Sequence, residues 1–141
     1  MKYRVLIAGS RGFTDYAKLR AALDALLVNR LPGVELLTQG GPGVPMLAAS
    51  YASERGLSVV ALLPNFDRFP ANAEERRDKL LVEDADVAVI VVGAHDAKAA
   101  GLVALCRAKG IPVHILDGPG VVRVRRVVND EDEPARRGLP D

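Results

Sequence analysis

The sequence contains a single cysteine, Cys106, and this excludes both an internal disulfide and a metal site built from several cysteines. Clusters of His and Cys with metal-ligand spacing are also missing, so no metal site and no cofactor is predicted. Cys106 falls at an apolar position of a predicted helix. We therefore expect it to be buried as a small hydrophobic residue.

Long apolar runs are equally missing. No stretch approaches the ~20 residues needed to cross a bilayer, and the first residues do not form the apolar segment of a signal peptide. Nineteen basic against eighteen acidic residues give a net charge of +1, so no overall field attracts the chain to nucleic acid or to an anionic membrane. The expectation is a cytoplasmic protein with no membrane partner and without a nucleic-acid partner.

Three well-known site motifs are absent too. No Gly-x-Gly-x-x-Gly follows the first predicted strand, no Gly-Lys-Ser/Thr is present, and no Gly-x-Ser-x-Gly occurs. A standard NAD site, a P-loop NTPase and an α/β-hydrolase are therefore disfavoured.

The chain does contain a regular alternation of short apolar runs and helical patterns. Strands are predicted over residues 3–8, 35–38, 58–63, 87–92 and 113–116, and helices over residues 16–30, 44–55, 73–84 and 96–109. Nearly continuous apolar runs are typical of parallel strands covered on both faces. With 141 residues for one core, the pattern predicts a single α/β domain: an open, doubly wound, mainly parallel five-stranded sheet with helices on both faces.

The single domain is predicted to span residues 1–128, and the charged residues 129–141 to form a disordered tail. Residues 121–128 alternate Val and Arg, which fits an extra edge strand with its arginines facing water. A nucleic-acid patch is the alternative, but no aromatic residues for stacking accompany these arginines.

Ligands of such sheets bind at the carboxyl ends of the strands, and the loop after the first strand is suited to an anion there. Gly9 and Gly12 permit close backbone approach, Ser10 supplies a hydroxyl and Arg11 a forked cation. The amides of the next helix are expected to point into the same space. Phosphate or carboxylate is the predicted ligand group.

Two further loops are candidates. Gly40, Gly41 and Gly43 precede the second helix, where they would either form an anion-binding concavity or only make a tight turn. Gly93 and His95 follow the fourth strand, and His95 fits either a ligand contact or an ordinary solvated residue. Asp15 is predicted to be the N-cap or a first-turn acid of its helix, and Asp96 to be an N-cap.

Two residues after the third predicted strand, Phe66 and Phe69, belong to a longer loop. This loop fits either a lid whose rings stack on a base or an extension of the core.

Several segments together resemble the YspA/YpsA-related branch of the SLOG superfamily, whose members are Rossmann-like relatives of the LOG phosphoribohydrolases and of DprA. They are Ile7-Ala8-Gly9-Ser10-Arg11-Gly12-Phe13-Thr14-Asp15, Gln39-Gly40-Gly41-Pro42-Gly43-Val44, and the stretch from Asn72 to Leu80 where the family has Ala-Gly-x-x-Arg-Asn-x-x-Met. The resemblance implies a nucleotide pocket in which Gly9, Ser10 and Arg11 hold phosphate. It also implies that Arg76 closes the pocket and that a homodimer forms.

The chain departs from its relatives at two places. Pro45 stands where the family has an aspartate, and residues 93–97 replace a Gly-Gly-x-Gly-Thr turn. The Pro-Gly-Gly-x-Gly-Thr-x-x-Glu motif of the LOG enzymes is absent, so no catalytic residue is assigned. A non-catalytic domain that binds or senses a nucleotide or a nucleotide-derived molecule is therefore favoured over a nucleotide-processing enzyme, and both over a DprA-like DNA-handling role.

Overall fold

The computed structural model describes residues 2–93 and 96–117, and it places five strands and four helices in strict alternation. The strands are β1 (Tyr3–Gly9), β2 (Val34–Thr38), β3 (Ser58–Ala61), β4 (Val87–Val92) and β5 (Val113–Asp117). The helices are α1 (Tyr16–Leu27), α2 (Val44–Arg55), α3 (Ala73–Asp84) and α4 (Ala97–Lys109). α1 ends three residues before its predicted end, because the carbonyl of Leu27 accepts from the amides of both Arg30 and Leu31 and the chain turns there.

All neighbouring strands are parallel, in the order β3-β2-β1-β4-β5. The chain runs outward from β1 to β3 and then returns to the other side of β1 to start β4. This confirms the predicted α/β, Rossmann-like, doubly wound sheet. The order reverses between β1 and β4, and such a switch point is where open sheets bind ligands.

The helices cover both faces of the sheet, as predicted. α1 and α2 pack over Ile7 and Val89, and α3 and α4 pack over Leu6 and Ile90. Adjacent strand residues thus contribute to opposite cores, as the alternation of side chains along a strand requires. Cys106 is fully buried in the second core, which confirms its predicted burial.

The prediction of strands covered on both faces holds for β1, β2 and β4, but it is wrong for β3. All four residues of β3 are exposed, including Val59 and Val60. The reason is its position, because β3 lies at the edge of the sheet and has a single neighbour, β2.

The predicted helix caps are confirmed. Asp15 Oδ1 accepts from the amide of Lys18 at 3.1 Å, and Asp96 Oδ1 accepts from the amide of Ala99 at 2.9 Å. Gly56 and Gly110 end α2 and α4 in the left-handed conformation.

A polar network joins α1 to α2 on the surface away from the strand ends. Asp24 Oδ1 accepts from the hydroxyl of Tyr51 at 2.6 Å, and the Asp24 carboxylate also accepts two hydrogen bonds from the guanidinium of Arg55. These hydrogen bonds lower the pKa of Asp24, that from Arg55 most, while burial is the main cause that raises the pKa of Tyr51 to about 12. The network fixes the two helices side by side.

The predicted edge strand over residues 121–128 and the predicted tail over residues 129–141 lie outside the described residues. Within the described ranges, no helix is long and apolar enough to cross a membrane.

Candidate functional site

A cleft of about 1000 Å³ opens at the carboxyl ends of the strands, above the switch point between β1 and β4. The loops after β1, β2 and β4 form its floor, and residues of α3 and α4 form one wall. Its volume is at the upper end of the range for small-molecule sites, roughly 300–1000 Å³. The cleft therefore has room for a ligand of nucleotide size.

Most of the residues that the sequence singled out come together in this cleft. Those that line it are Gly9, Ser10, Arg11, Gly12, Gly40, Gly41 and Gly93. Gly43 and Arg76 are not in the lining, and His95 lies outside the described residues.

The loop after β1 is held against the end of β4. The amide of Ser10 donates to the carbonyl of Val91 at 3.3 Å, and Ser10 Oγ accepts from the amide of Gly12 at 3.2 Å. Gly9 has φ +143°, and a side chain there would overlap the Val91 carbonyl. Glycine at position 9 is thus required for the loop to sit at the switch point.

Gly43 lies outside the lining of the cleft and packs against the loop after β1. Its φ is +78°, and a side chain on it would overlap the backbone of Ser10 and Arg11. The carbonyl of Ser10 accepts from the amide of Val44, the residue that begins α2, at 3.2 Å. The two glycine loops therefore pack backbone against backbone, and Gly43 positions the first loop although it does not line the cleft.

Arg11 is an exposed cation in the cleft wall with no ion-pair partner in the described part of the chain. The backbone amides of Arg11 and Gly41 likewise have no acceptor among residues 2–93 and 96–117. One free guanidinium and two free amides at the same end of the cleft can bind a single anionic group.

The first-turn amides of α1 are predicted to point toward the ligand, but in the structure Asp15 already accepts a hydrogen bond from one of them. Asp15 caps α1 and so already places an anion at the end of that helix. The same holds for α4, where Asp96 accepts from both the Ala99 amide and the Gly93 amide. These carboxylates disfavour a second anion at the first turns of α1 and α4, whereas Arg11 and the amide of Gly41 have no carboxylate bonded to them in the described residues.

The opposite wall contains a pair of charged residues that are close neighbours on α3. Arg77 is only 9% exposed, and its Nε donates to Oδ1 of Asp78 at 2.7 Å. The same oxygen accepts from Nε2 of Gln39 at 2.9 Å. All three residues line the cleft, where they form a fixed polar group whose net charge is zero.

Arg76, which the resemblance assigns to the pocket, lies instead over the ring of Phe69, at 4.1 Å from its centroid. Sequence reasoning missed Arg77, yet the helical spacing contains the signal. Ala73, Arg77 and Leu81 are four residues apart on one face of α3, and all three are buried. The family segment Ala-Gly-x-x-Arg-Asn-x-x-Met aligns with this face when it is moved one residue along the chain.

An ion pair joins α3 and α4, the two helices that form one wall of the cleft. Lys98 Nζ on α4 lies 2.9 Å from Glu74 Oε1 on α3. The pKa of Glu74 is lowered, chiefly by this hydrogen bond and to a lesser degree by the charges of Lys98, Arg77 and Arg11. Since Arg77 and Lys98 both have carboxylate partners, Arg11 is the cation of the described lining that lacks one.

The far end of the cleft is apolar. Leu102 and Leu105 of α4 lie in its lining, whereas Leu63, which is 67% exposed, lies beside Gly40. Phe66 is also exposed, and Phe69 is partly buried under Arg76, so neither ring is a core residue. The lid role of this loop stays a prediction.

Comparison with protein families gives one match. Residues 3–69 match the model of the YAcAr family, described as the YspA, cpYpsA-related SLOG family. The chain is similar to this SLOG family over that stretch. The match covers both glycine loops and confirms the resemblance, while the likeness over residues 72–80 lies beyond it. No curated protein and no solved structure matches the chain.

The similarity to the SLOG family suggests nucleotide-related binding or processing. The predicted homodimer, the cytoplasmic location and the lack of a nucleic-acid partner stay predictions.

Proposed function

We propose that this chain binds a nucleotide or a nucleotide-derived molecule through one phosphate, without turning it over. The observation that carries the proposal is Arg11, an exposed guanidinium without a carboxylate partner in the described lining, beside two glycine loops at the switch point. The family match covers these same two loops.

The ligand's orientation follows from the two ends of the cleft. Phosphate binds at Arg11 and the amide of Gly41, since this end has free donors and the loop after β4 holds the Asp96 carboxylate. The base lies against Leu102 and Leu105 of α4, where apolar area is available. The sugar then lies between them, beside α3.

Binding without turnover is proposed because the chain lacks the catalytic motif of the LOG enzymes, including its glutamate. One observation favours the alternative of a nucleotide-processing enzyme. Glu75 lines the cleft and has no ion pair among residues 2–93 and 96–117, so a free carboxylate is present there. Release of base from ribonucleoside monophosphates that is lost in Glu75→Gln would establish the enzyme.

The proposal is tested by isothermal titration with ribonucleoside 5′-monophosphates and by thermal unfolding in their presence. A ligand at 100 times its Kd adds roughly 2.7 kcal/mol of stability. Arg11→Ala removes a charge-assisted contact of about 1.5–3 kcal/mol, so affinity falls about tenfold or more. The unfolding temperature without ligand stays unchanged, because Arg11 is exposed and unpaired.

The matched control is Arg107→Ala. Arg107 is another exposed arginine, on α4 and outside the lining, so its removal changes the net charge equally. Equal affinities of the wild type and the Arg11 variant would contradict the assignment of the phosphate site.

A further inference from the structure

Asp78 differs from the other carboxylates of the cleft in how it is held. Its Oδ1 accepts two hydrogen bonds, one from Gln39 at the end of β2 and one from Arg77 on α3. Both donors are themselves fixed, because Arg77 is only 9% exposed and its Nη1 also donates to the carbonyl of Gln39 at 3.4 Å. The carboxylate is therefore oriented before any ligand arrives, so little ordering is needed when one binds.

The second oxygen of this carboxylate is an acceptor that the fold leaves open. No donor among residues 2–93 and 96–117 reaches Oδ2 of Asp78, and the side chain is 18% exposed where it borders the cleft. A partly buried carboxylate oxygen gains from a hydrogen-bond donor supplied by a ligand. A hydroxyl is well suited, since O–H···O⁻ bonds are short and strong.

The position of Asp78 decides which part of the ligand it meets. Thr38 pairs with Ile7 across β2 and β1, so Gln39 lies level with the end of β1, about one strand spacing of ~4.8 Å from it. Asp78, bonded to Gln39, is therefore a close neighbour of the loop that receives the phosphate. The part of a nucleotide next to its phosphate is the sugar.

The negative charge of Asp78 also determines which ligand groups the α3 side of the cleft disfavours. Arg77 would be a second phosphate-binding cation if it stood alone, but Asp78 balances its charge. A carboxylate at this place repels further phosphates and accepts from hydroxyls.

We propose that Asp78, oriented by Gln39 and Arg77, recognises a ribose hydroxyl and makes the cleft selective for ribonucleoside monophosphates over their deoxy forms. This inference rests on the proposed function, because it takes the phosphate to lie at Arg11.

The test uses the purified full chain and isothermal titration. The four ribonucleoside 5′-monophosphates are titrated first, and the tightest is then compared with its 2′-deoxy and 3′-deoxy counterparts. The wild type is expected to bind the ribonucleotide at least about tenfold more tightly than one of the two deoxy forms. Asp78→Asn, which keeps the shape and weakens the acceptor, is expected to reduce this preference to within about threefold.

Asp84→Asn serves as the matched control. Asp84 is an exposed carboxylate at the end of the same helix and outside the lining, so the preference should persist there. If Asp78→Asn does not fold, Gln39→Met, which removes one of the two groups that hold Asp78, should reduce the preference instead.

The outcomes separate the two proposals. Equal binding of ribose and deoxy forms by the wild type, or an unchanged preference in the folded Asp78 variant, overturns the role of Asp78. If that binding still depends on Arg11, the proposed function stands. If none of the monophosphates binds, both proposals fall.

Discussion

Arg77 and Asp78 are consecutive residues of α3, and the Nε of the first lies 2.7 Å from Oδ1 of the second. A pair so close in sequence usually points its side chains apart on a helix. Here both turn toward the end of β2, where Gln39 bonds to each of them, one through its carbonyl and one through its side-chain amide. The wall of the cleft is thereby tied to the sheet.

Replacement of Arg77 by alanine should destabilise the protein strongly. It leaves the Asp78 carboxylate without its nearest cation in a mostly buried place, and breaking a buried pair in this way costs about 3 kcal/mol. Urea unfolding followed by circular dichroism measures the change in the free energy of unfolding.

Arg76→Ala is the control, because Arg76 is exposed and its guanidinium lies over the face of Phe69. Its loss should cost less than about 1 kcal/mol. Similar costs for the two variants would mean that α3 does not turn Arg77 toward the sheet.

Alanine substitutions at Gly41 and Gly43, two glycines of the loop after β2, should differ in their cost to stability. Gly41 and Gly43 both have positive φ, at +91° and +78°, so alanine at either costs about 1–2 kcal/mol of backbone strain. A methyl group at Gly41 meets open space, whereas at Gly43 it overlaps the backbone of Ser10 and Arg11 and adds about 1–3 kcal/mol. Gly43→Ala should therefore be the less stable variant in urea unfolding, and it should also weaken nucleotide binding. Equal stabilities would show that the two loops do not pack together.

The network between α1 and α2 makes stability depend on pH below about pH 4. The pKa of Asp24 is lowered in the folded state, chiefly by the hydrogen bond from Arg55, so its contribution is present above the ordinary carboxyl range and is lost as the pH falls through the folded value. The pKa of Glu54 is lowered as well, chiefly by the hydrogen bond from Tyr16. The free energy of unfolding of the wild type should therefore fall between about pH 5 and pH 2. Asp24→Asn should make this fall smaller without abolishing it, as measured by urea unfolding at each pH.

Asp67→Asn provides the comparison for that series. Asp67 is an exposed carboxylate with no ion pair in the described ranges, so the acid dependence of its variant should follow that of the wild type. An Asp24 variant with an unchanged acid slope would rule out this network as a source of the dependence.

Alkaline conditions should weaken the same network from the other partner. The pKa of Tyr51 is raised to about 12, mainly by burial, so the folded state keeps its proton when the unfolded chain has lost it. Stability is fully present below pH 10 and falls as the pH rises from about 10 to 12. Tyr51→Phe removes the titrating hydroxyl and should lessen that fall, to which Tyr16 also contributes because burial raises its pKa to about 12 as well.

Much of this molecule could be predicted from its pattern. The apolar runs predicted the strands, and the capping residues Asp15 and Asp96 predicted where two helices begin. Both predictions succeed because a strand buried on both faces and a capped amphipathic helix have strong local signals. The exposure of Val60 could not be predicted in this way. Burial of an edge strand depends on what lies beside it, and the residues of β3 do not encode that.

The site was predictable where the backbone decides it and not where side chains meet across elements. The glycines of both loops indicate that backbone segments approach each other closely there. Gly9 does so against Val91, and Gly43 does so against Ser10 and Arg11. The choice between Arg76 and Arg77 depends on one residue of helical register, which the spacing of Ala73 and Leu81 indicates and their burial confirms.

Cys106 offers a direct test of the second core. It is fully buried on α4, and burial, followed by the charge of Asp78, raises the pKa of its thiol to about 11. The thiolate is the reactive form, so a thiol reagent at pH 8 should label the folded protein at least about a hundredfold more slowly than the urea-unfolded chain. Labelling across a urea series should therefore follow the unfolding curve.

Nucleotide binding should slow the labelling further, because Leu102 and Leu105 beside Cys106 line the cleft. Cys106→Ala should cost about 1 kcal/mol, and Cys106→Ser more, since a buried hydroxyl without a partner costs about 1–3 kcal/mol. Rapid labelling of the folded protein would mean that α4 does not hold its apolar face against the sheet, and the apolar end of the cleft would then lose its wall.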